Sequence, residues 1–508
     1  MQIKKLLGTT LALSLVLPLG SVNATELLKN FKLGGQFDMQ ATSARNVTDF
    51  TTRQVNNPVP GSATANDRIG DAQTRIMLNA DWDVLDDVHA KVTLRKNDRD
   101  YGTAGGGNAN TNANSQSLTS NAAPATAGVL GNTFVDQAYV KIDKIGGQID
   151  ATMGRQFYGT SGDMVVYFGP SDKALYGLPT TAIDAVRADW SNDMVGVTGL
   201  VGKITGHAVG VAPAGVADVD LRGLTATLKG HDTVSAGAYL YNQVTHNTGA
   251  LGASPTIAAA GGKNDNLWVA GLKAKVTMGM FWAGAEFAKN FGENRGAFTT
   301  DPKISAVNNA HYAGWAGKID LGAKADLGGF GSVSPWLHAA YGSGDGSNDG
   351  RNSNFVAISP DYRPGSIYGR FAVPAGGASI GSGTPTGGIA TNSLSNRRIW
   401  GVGIKTNPSA LNKLTAGISY WDYNFAARPQ AAPGTAGNGL RHIGSEADLD
   451  LTWAHSENVS LGAGVGQFWP GAFIKDTIQA SGPIAGTAPS GRGNNPANLG
   501  YFDVRVKF

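Results

Sequence analysis

Apolar and polar residues alternate along this chain with a period of two, in segment after segment from Phe31 to Phe508. Phe31, Leu33, Gly35, Phe37 and Met39 fall on one face, with Lys32, Gln36, Asp38 and Gln40 on the other. The same pattern sets Ile76, Leu78, Ala80 and Trp82 against Arg75, Asn79 and Asp81. It also sets Ala447, Leu449, Leu451 and Trp453 against Glu446, Asp448, Asp450 and Thr452. A helix would repeat its apolar positions every three or four residues, so these are strands with two different surroundings. Eighteen segments read this way: 31–42, 70–84, 88–99, 134–143, 148–157, 181–190, 194–204, 219–229, 233–243, 266–276, 280–290, 311–327, 332–342, 397–406, 413–423, 445–455, 459–468 and 499–508. The phase of 194–204 and 219–229 is ambiguous. Many segments have the ~10 residues that a tilted strand needs to cross a bilayer.

The connections alternate too. Leu85–Asp87, Lys144–Gly147, Ser191–Asp193, Thr277–Gly279 and Ser456–Asn458 are short, and each follows an even-numbered segment. The polar stretches 43–69, 100–133, 244–265, 343–396 and 469–498 are long, and each follows an odd-numbered one. Short turns at one rim and long loops at the other are the pattern of an outer-membrane barrel. The fold class expected is therefore all-β: a transmembrane antiparallel β-barrel of eighteen strands, with short periplasmic turns and long extracellular loops. Closure leaves no unpaired backbone edge in hydrocarbon. Trp82, Trp190, Trp268, Trp315, Trp400 and Trp453 share the apolar phase and are candidates for interfacial girdles. Phe508 ends the last alternating segment and reads as an assembly signal for the barrel-assembly machinery.

Before the first strand, Lys4 and Lys5 precede the apolar run Leu6 to Leu19 and then Ser21-Val22-Asn23-Ala24. A basic start, an apolar stretch and small residues at −3 and −1 define a secretory leader, with cleavage expected after Ala24. Residues 25–508 then form one barrel domain, integral to the outer membrane of a Gram-negative type of cell. Losing two lysines brings the formal charge of +3 to about +1, which argues against a nucleic-acid binder relying on phosphate contacts. The chain of 508 residues has no cysteine, so disulfides, thiolate metal sites and cysteine nucleophiles are all excluded. Its 71 glycines are about twice the usual share and lie both in the loops and on strand faces such as Gly199, Gly417 and Gly462.

Several phrases carry a family likeness. Gly154-Arg155-Gln156 followed by Ile183-Asp184-Ala185-Val186-Arg187 resembles a strand-loop-strand phrase of the alginate-export family of outer-membrane barrels. Gly342-Ser343-Gly344-Asp345 with Asp349 and Phe355 is similar to its Gly-Asp loop. The longest likeness is Gly444-Ser445-Glu446-Ala447-Asp448-Leu449-Asp450-Leu451 with Phe468-Trp469-Pro470-Gly471-Ala472-Phe473-Ile474-Lys475. The resemblance covers mainly 134–190 and 335–508. It implies an eighteen-stranded barrel with a lumen that passes polyanionic or other hydrophilic solutes, polysaccharides among them.

Phase assigns the lumen its charges. Inward cations are Lys32, Arg75, Lys91, Arg95, Lys141, Arg187, Lys273, Lys275, Lys318, Arg397, Lys405 and Arg505. Inward acids are Asp38, Asp81, Asp150, Asp189, Glu286, Asp320, Glu446, Asp448, Asp450 and Asp503. A conduit for a polyanion should present a mainly positive wall, and these sets nearly balance. One reading places basic residues on the early strands opposite Glu446, Asp448 and Asp450, giving a transverse field and a weak charge preference. In the other, the charges pair and stiffen the wall. Arg155 falls on the apolar parity. A bulge that turns it inward, beside Arg187 at a constriction, is the expectation; the alternative is the outer headgroup level.

The remaining motifs are weak. Asp345, Ser347, Asp349 and Gly350 look like the start of a calcium loop, but Val356 stands where the twelfth-position Glu belongs, so a solvated loop is the better reading. Of the histidines, His89 and His338 are expected to face the lumen, and none has paired metal spacing. No motif nominates a catalytic group or a cofactor. Residues 343–396 read either as a plug entering the lumen or as a partly disordered loop. The functional expectation is a monomeric passive channel for a hydrophilic solute or polysaccharide. The alternative is a structural or adhesive barrel binding a surface partner through its loops.

Overall fold

The structure, a computed structural model, describes residues 30–47, 50, 68–101, 133–172, 178–205, 218–229, 231–246, 264–294, 310–346, 351–371, 391–428, 440–475 and 494–508. The expected leader 1–24 and two of the calcium-loop candidates, Ser347 and Asp349, lie outside them.

Eighteen long strands form one closed antiparallel barrel. They are β1 (Phe31–Arg45), β2 (Arg68–Leu85), β3 (Val88–Tyr101), β4 (Phe134–Ile145), β5 (Ile149–Gln156), β6 (Ile183–Ser191), β7 (Val195–Thr205), β8 (Val219–Leu228) and β9 (Val234–Thr245). The second half comprises β10 (Asp265–Met278), β11 (Phe281–Asn294), β12 (Trp315–Ala323), β13 (Gly331–Gly342), β14 (Arg397–Pro408), β15 (Leu414–Asn424), β16 (His442–Ala454), β17 (Val459–Pro470) and β18 (Ala497–Lys507). Each strand pairs with its sequence neighbours, and β18 returns to β1 with Asp38 opposite Arg505 and Arg45 opposite Asn498. Phe508 completes the seam: its N–H donates to Gly35 O at 3.0 Å, and its own carbonyl accepts from Gly35 N at 2.7 Å.

Alternation sorts the two faces as the sequence implies. Leu78, Val140, Val186, Leu272, Ile319 and Ile418 point outward and are exposed, an apolar band suited to acyl chains. All six girdle tryptophans take the outward phase. Trp268, Trp315 and Trp400 stand near the long-loop ends of β10, β12 and β14; Trp82, Trp190 and Trp453 stand near the short-turn ends of β2, β6 and β16.

The structure departs from the expected strands at 311–327. The barrel strand there is Trp315–Ala323, continued after Lys324 by Ala325–Asp326 paired with Ser332–Val333; Ala310–Tyr312 instead pairs with Glu293–Asn294 and in parallel with Arg351–Asn352. A segment of the following loop has captured that end of the strand. The ambiguous phase of β7 and β8 has a related cause. Thr198 donates to Asp189 inside the lumen, which puts Leu200 and Leu221 inward as well. Both leucines are fully buried, because part of the lumen is filled with apolar side chains.

Two segments supply that filling. Residues 157–172 and 178–182, between β5 and β6, and residues 351–371 with 391–396, between β13 and β14, fold into the barrel. They bury Met164, Val165, Val166, Phe355, Ile367 and Tyr368 against Tyr423, Phe468 and other wall residues. The two segments also join each other. Ile358 and Ser359 donate to Val165 O at 3.1 and 2.9 Å, Tyr167 N donates to Ser359 O at 2.7 Å, and Asp361 N donates to Asp163 O at 2.9 Å. Of 343–396, residues 351–371 thus enter the lumen, and 372–390 lie outside the described residues.

Candidate channel lumen

The inward wall and the two inward segments together set the lumen's shape and charge. On β1, β2 and β18, one register row places Asp38 between Arg75 and Arg505. Arg75 Nε and Nη2 donate to Asp38 Oδ2 at 2.9 and 2.7 Å, while Arg505 Nε donates to Oδ1 at 2.7 Å. The first inward segment docks on this row: Arg75 Nη1 donates to the carbonyls of Ser171 and Leu178 at 3.0 and 3.2 Å, and Arg505 Nη2 reaches Asp172 at 2.6 Å. The planar guanidinium can serve carboxylate and carbonyls at once, which an ammonium cannot do with the same geometry.

The early-strand cations are neutralised where they stand. Lys91 pairs with Asp81 at 2.9 Å, Arg95 with Asp136 at 2.7 Å, Lys141 with Asp143 at 2.5 Å and Asp150 at 3.3 Å, and Arg187 with Asp189 at 2.7 Å. His89 bridges Asp83 and Asp143 at 2.7 and 3.1 Å. Of the two arrangements left open by phase, local pairing describes the early strands: acids on the same and adjacent strands, including Asp136, which phase had not assigned inward, cancel these cations. Lys318 pairs with Glu286 at 3.1 Å, whereas Lys273 is 3.7 Å from Asp163 of the inward segment. Lys273, Lys275 and Lys405 are the exposed lumen lysines of β10 and β14.

Arg155 is the one candidate that does not reach the lumen. It pairs in register with Ala138 and Asp184, on the outward parity of Met153 and Val186. Its Nη1 lies 3.2 Å from the exposed Asp184 carboxylate and its Nε donates to Val135 O at 2.8 Å. No bulge inverts the strand at this point. Arg155 stands instead at the long-loop end of the outer face, while Arg187 faces inward.

The second inward segment is held from the opposite side by the acids of β16. Helix α1 (Ile367–Phe371) begins against the Glu446 carboxylate, which accepts from the N–H groups of Ser366, Ile367 and Tyr368 at 2.7, 2.6 and 3.0 Å. Tyr423 adds its hydroxyl at 3.1 Å. Asp448 accepts from Ser366 N at 3.2 Å, and Asp450 accepts from Ser366 Oγ at 3.0 Å and from Tyr501. Helices leave their first N–H groups without internal partners, and a carboxylate is a favourable acceptor there. Arg370 completes the anchor with Asp503 at 2.5 Å and lies over the Tyr501 ring at 3.7 Å. Arg397 donates to the Tyr368 hydroxyl at 3.0 Å. Glu446, Asp448 and Asp450 thus face a loop of their own chain rather than a cationic wall.

Where the two segments meet, Asp361 accepts from Ser161, Gly162 N and Ser171 at 3.0, 3.2 and 3.2 Å and pairs with Arg363 at 2.8 Å. Burial pushes the Tyr167 hydroxyl up to about 12, so it remains a donor, to Pro170 O at 2.8 Å. Burial likewise lowers the Arg363 guanidinium from its ordinary value, with Asp361 opposing. His338 links Asp320 at 2.6 Å to Tyr362 of the second segment at 2.7 Å. Asp345, the described member of the calcium-loop set, takes its N–H to Asn354 Oδ1 at 2.9 Å. Among the described residues no group of three or more His, Cys, Asp or Glu is placed to hold a metal.

Among the described residues, two lumen cavities bear on the channel. One of about 430 Å³ is lined by β1, β13–β18 and both segments; its wall includes Asp38, Lys405, Asp448, Asp450, Tyr501 and Arg505. The other, about 230 Å³, lies at β8–β12 with Lys273, Lys275, Lys318, Glu286 and Asp320. Alternation alone could not reveal the residues that hold the segments in place, because Glu446 on a strand and Ser366 in a loop are separated by the chain between them.

No family model matches the chain, and no curated protein matches it. Among solved structures it is similar to OccK9 (OpdG) of Pseudomonas aeruginosa, with a TM-score of 0.51 and 10% identity over 95% of this chain and 99% of that one. OpdQ of the same bacterium gives 0.49 and 10% over 95% and 99%, and the outer-membrane protein OpdK gives 0.48 and 9% over 94% and 99%. The likeness is one of fold. An eighteen-stranded closed barrel with an apolar outer band and two aromatic girdles is an integral barrel of the bacterial outer membrane.

Proposed function

We propose that the chain is a passive channel that lets small hydrophilic solutes cross the outer membrane. The observation that carries this reading is the lumen itself: a polar wall with two cavities, of about 430 and 230 Å³, beside inward segments that narrow it. A barrel built only as a structural or adhesive element has no need for charged side chains turned toward an enclosed aqueous space. Diffusion down a gradient supplies the driving force, and the inward segments, 157–172 with 178–182 and 351–371, set the constriction. The alginate-export type is the finer form of this proposal, supported by the phrases 444–451 and 468–475. It implies a saccharide cargo. The pairing of the early-strand cations weighs against a polyuronate, for which an unneutralised positive wall would be needed. We read the chain as acting alone. It would be exported through a leader cleaved after Ala24 and inserted by barrel-assembly machinery engaging β18 and Phe508.

Reconstitution in planar bilayers tests the proposal. Stepwise ionic conductance is expected. Absence of conductance, both from the intact protein and from a form with the inward segments trimmed, would overturn it.

A further inference from the structure

The lumen carries a set of aromatic rings packed close against its wall, each beside a glycine of the adjacent strand. On β14 the inward positions Gly401 and Gly403 lie opposite His338 and Trp336 of β13 and opposite Trp421 and Ser419 of β15. A β-carbon at Gly403 would lie 2.6 Å from Cζ2 of the Trp336 indole, and one at Gly401 would collide with Cε3 of Trp421. The same device recurs where Trp282 covers Gly322 and where Tyr501 covers Gly464. These glycines leave room for the rings to lie close against the backbone of the neighbouring strand. Trp336 and Trp421 stand 5.2 Å apart, both half-exposed, and both line the cavity of about 430 Å³.

Polar groups surround that pair. Trp421 Nε1 donates to Ser419 Oγ at 3.2 Å, and Ser419 Oγ donates to Asp448 at 3.4 Å. Thr415, Ser460 and Asp450 line the same cavity, and Lys405 projects from β14 two residues beyond Gly403. Five carboxyl side chains line it against three cationic ones, and Arg370 and Arg505 among the latter are engaged with Asp503, Asp38 and Asp172.

We propose that the Trp336–Trp421 platform is a binding subsite for a neutral pyranose sugar. This rests on the channel reading and names the cargo's chemistry. A pyranose ring offers an apolar C–H face to an indole and a rim of hydroxyls to the serine, threonine and carboxylate groups around it. The carboxyl excess disfavours an anionic sugar at this place. At Trp336, Lys405 locally opposes an organic cation, which the aromatic rings and carboxylates would otherwise attract, and choline is the probe for that occupant. The cavity is of a size used for small ligands.

The test is block of the ionic current through single reconstituted channels. Maltotriose is expected to reduce the mean current in a saturable way; trigalacturonate and the open-chain polyol sorbitol are not. W336A/W421A is expected to raise the half-blocking concentration of maltotriose about tenfold, the loss of roughly 1.4 kcal/mol of stacking. W336F/W421F, which keeps two flat faces, is expected to retain most of the block, and this separates lost stacking from misfolding. A conducting channel that maltotriose does not block overturns the sugar subsite alone, as does block by choline without block by maltotriose. Equal half-blocking concentrations in W336A/W421A and the unsubstituted protein overturn it too. A protein with no conductance overturns the channel reading and the subsite together.

Discussion

Arg75 of β2 and Asp38 of β1 share one register position, with Nη2 2.7 Å from Oδ2, and the arginine side chain has no solvent exposure. The pair is more than wall chemistry, because the remaining guanidinium nitrogen holds the carbonyls of Ser171 and Leu178. A wall residue thereby fixes the position of the segment that narrows the lumen.

Arg75→Ala is accordingly expected to do two things. It strands a buried carboxylate, a loss of about 3–5 kcal/mol for a broken buried pair, offset in part by Arg505. It also releases the first inward segment from the wall. Thermal unfolding should fall and unitary conductance should rise. Arg75→Lys keeps the charge but not the fork, so it should recover part of the stability and little of the constriction. Unchanged conductance in Arg75→Ala would mean that the segment is held elsewhere.

Glu446→Ala removes the acceptor for the N–H groups of Ser366, Ile367 and Tyr368. Each buried donor left without a partner costs about 1–3 kcal/mol. The second segment should leave the wall often enough for trypsin to cut after Arg370, which the native packing buries. Proteolysis of the folded barrel followed by mass analysis reads this directly. Resistance equal to that of the unsubstituted protein would show that Arg370–Asp503 and Arg397–Tyr368 suffice.

The strands, their order and their inward faces were legible in the sequence because a period of two is imposed by the pleat and by two unlike solvents, lipid and water. The lumen contents were not. Leu200 and Leu221 blurred the phase of β7 and β8 because they face a lumen that locally has a protein core. Trp336 and Trp421 gave no alternation signal of their own, since the glycines beneath them lie on other strands. Charges could be assigned to a face but not to a partner, so a segregated basic wall and local pairing both stayed open, and the ion pairs select local pairing. The glycine surplus, placed by sequence in the loops and on strand faces, also provides the room in which aromatic rings pack against the wall.

Arg155→Ala is expected to leave conductance and ion preference unchanged. The residue points outward and makes a half-exposed pair with Asp184, an interaction of about 0–1 kcal/mol. A shift in reversal potential in Arg155→Ala would require the strand to turn there after all.

The seam offers a test of assembly. A β-carbon at Gly35 would lie 2.6 Å from Met77 O and from the Phe508 ring. Gly35→Val should therefore slow or abort closure of β18 on β1, and Phe508→Ala should weaken it less, because the two backbone hydrogen bonds survive. The measurement is the fraction of membrane-inserted, protease-resistant barrel after expression. Normal yield from Gly35→Val would place the close contact outside the assembly step.

Charge preference should depend on the lysines that lack close acidic partners rather than on the paired early-strand cations. Lys273 makes only a long contact, 3.7 Å, with Asp163 and Lys275 lies 6.0 Å over the Trp282 ring, both facing the cavity at β8–β12. Lys405 faces the larger cavity. Replacing all three by Glu should move the reversal potential in a salt gradient toward cation preference. The shift should shrink as salt rises, because screening shortens from about 10 Å at 0.1 M to about 3 Å at 1 M. Removing a matched pair instead, Lys91→Gln with Asp81→Asn, takes away equal and opposite charges 2.9 Å apart and should leave the reversal potential where it was. If the pair removal moves it and the lysine replacements do not, ions pass along the β2–β3 side of the lumen, and the constriction lies there rather than beside β10.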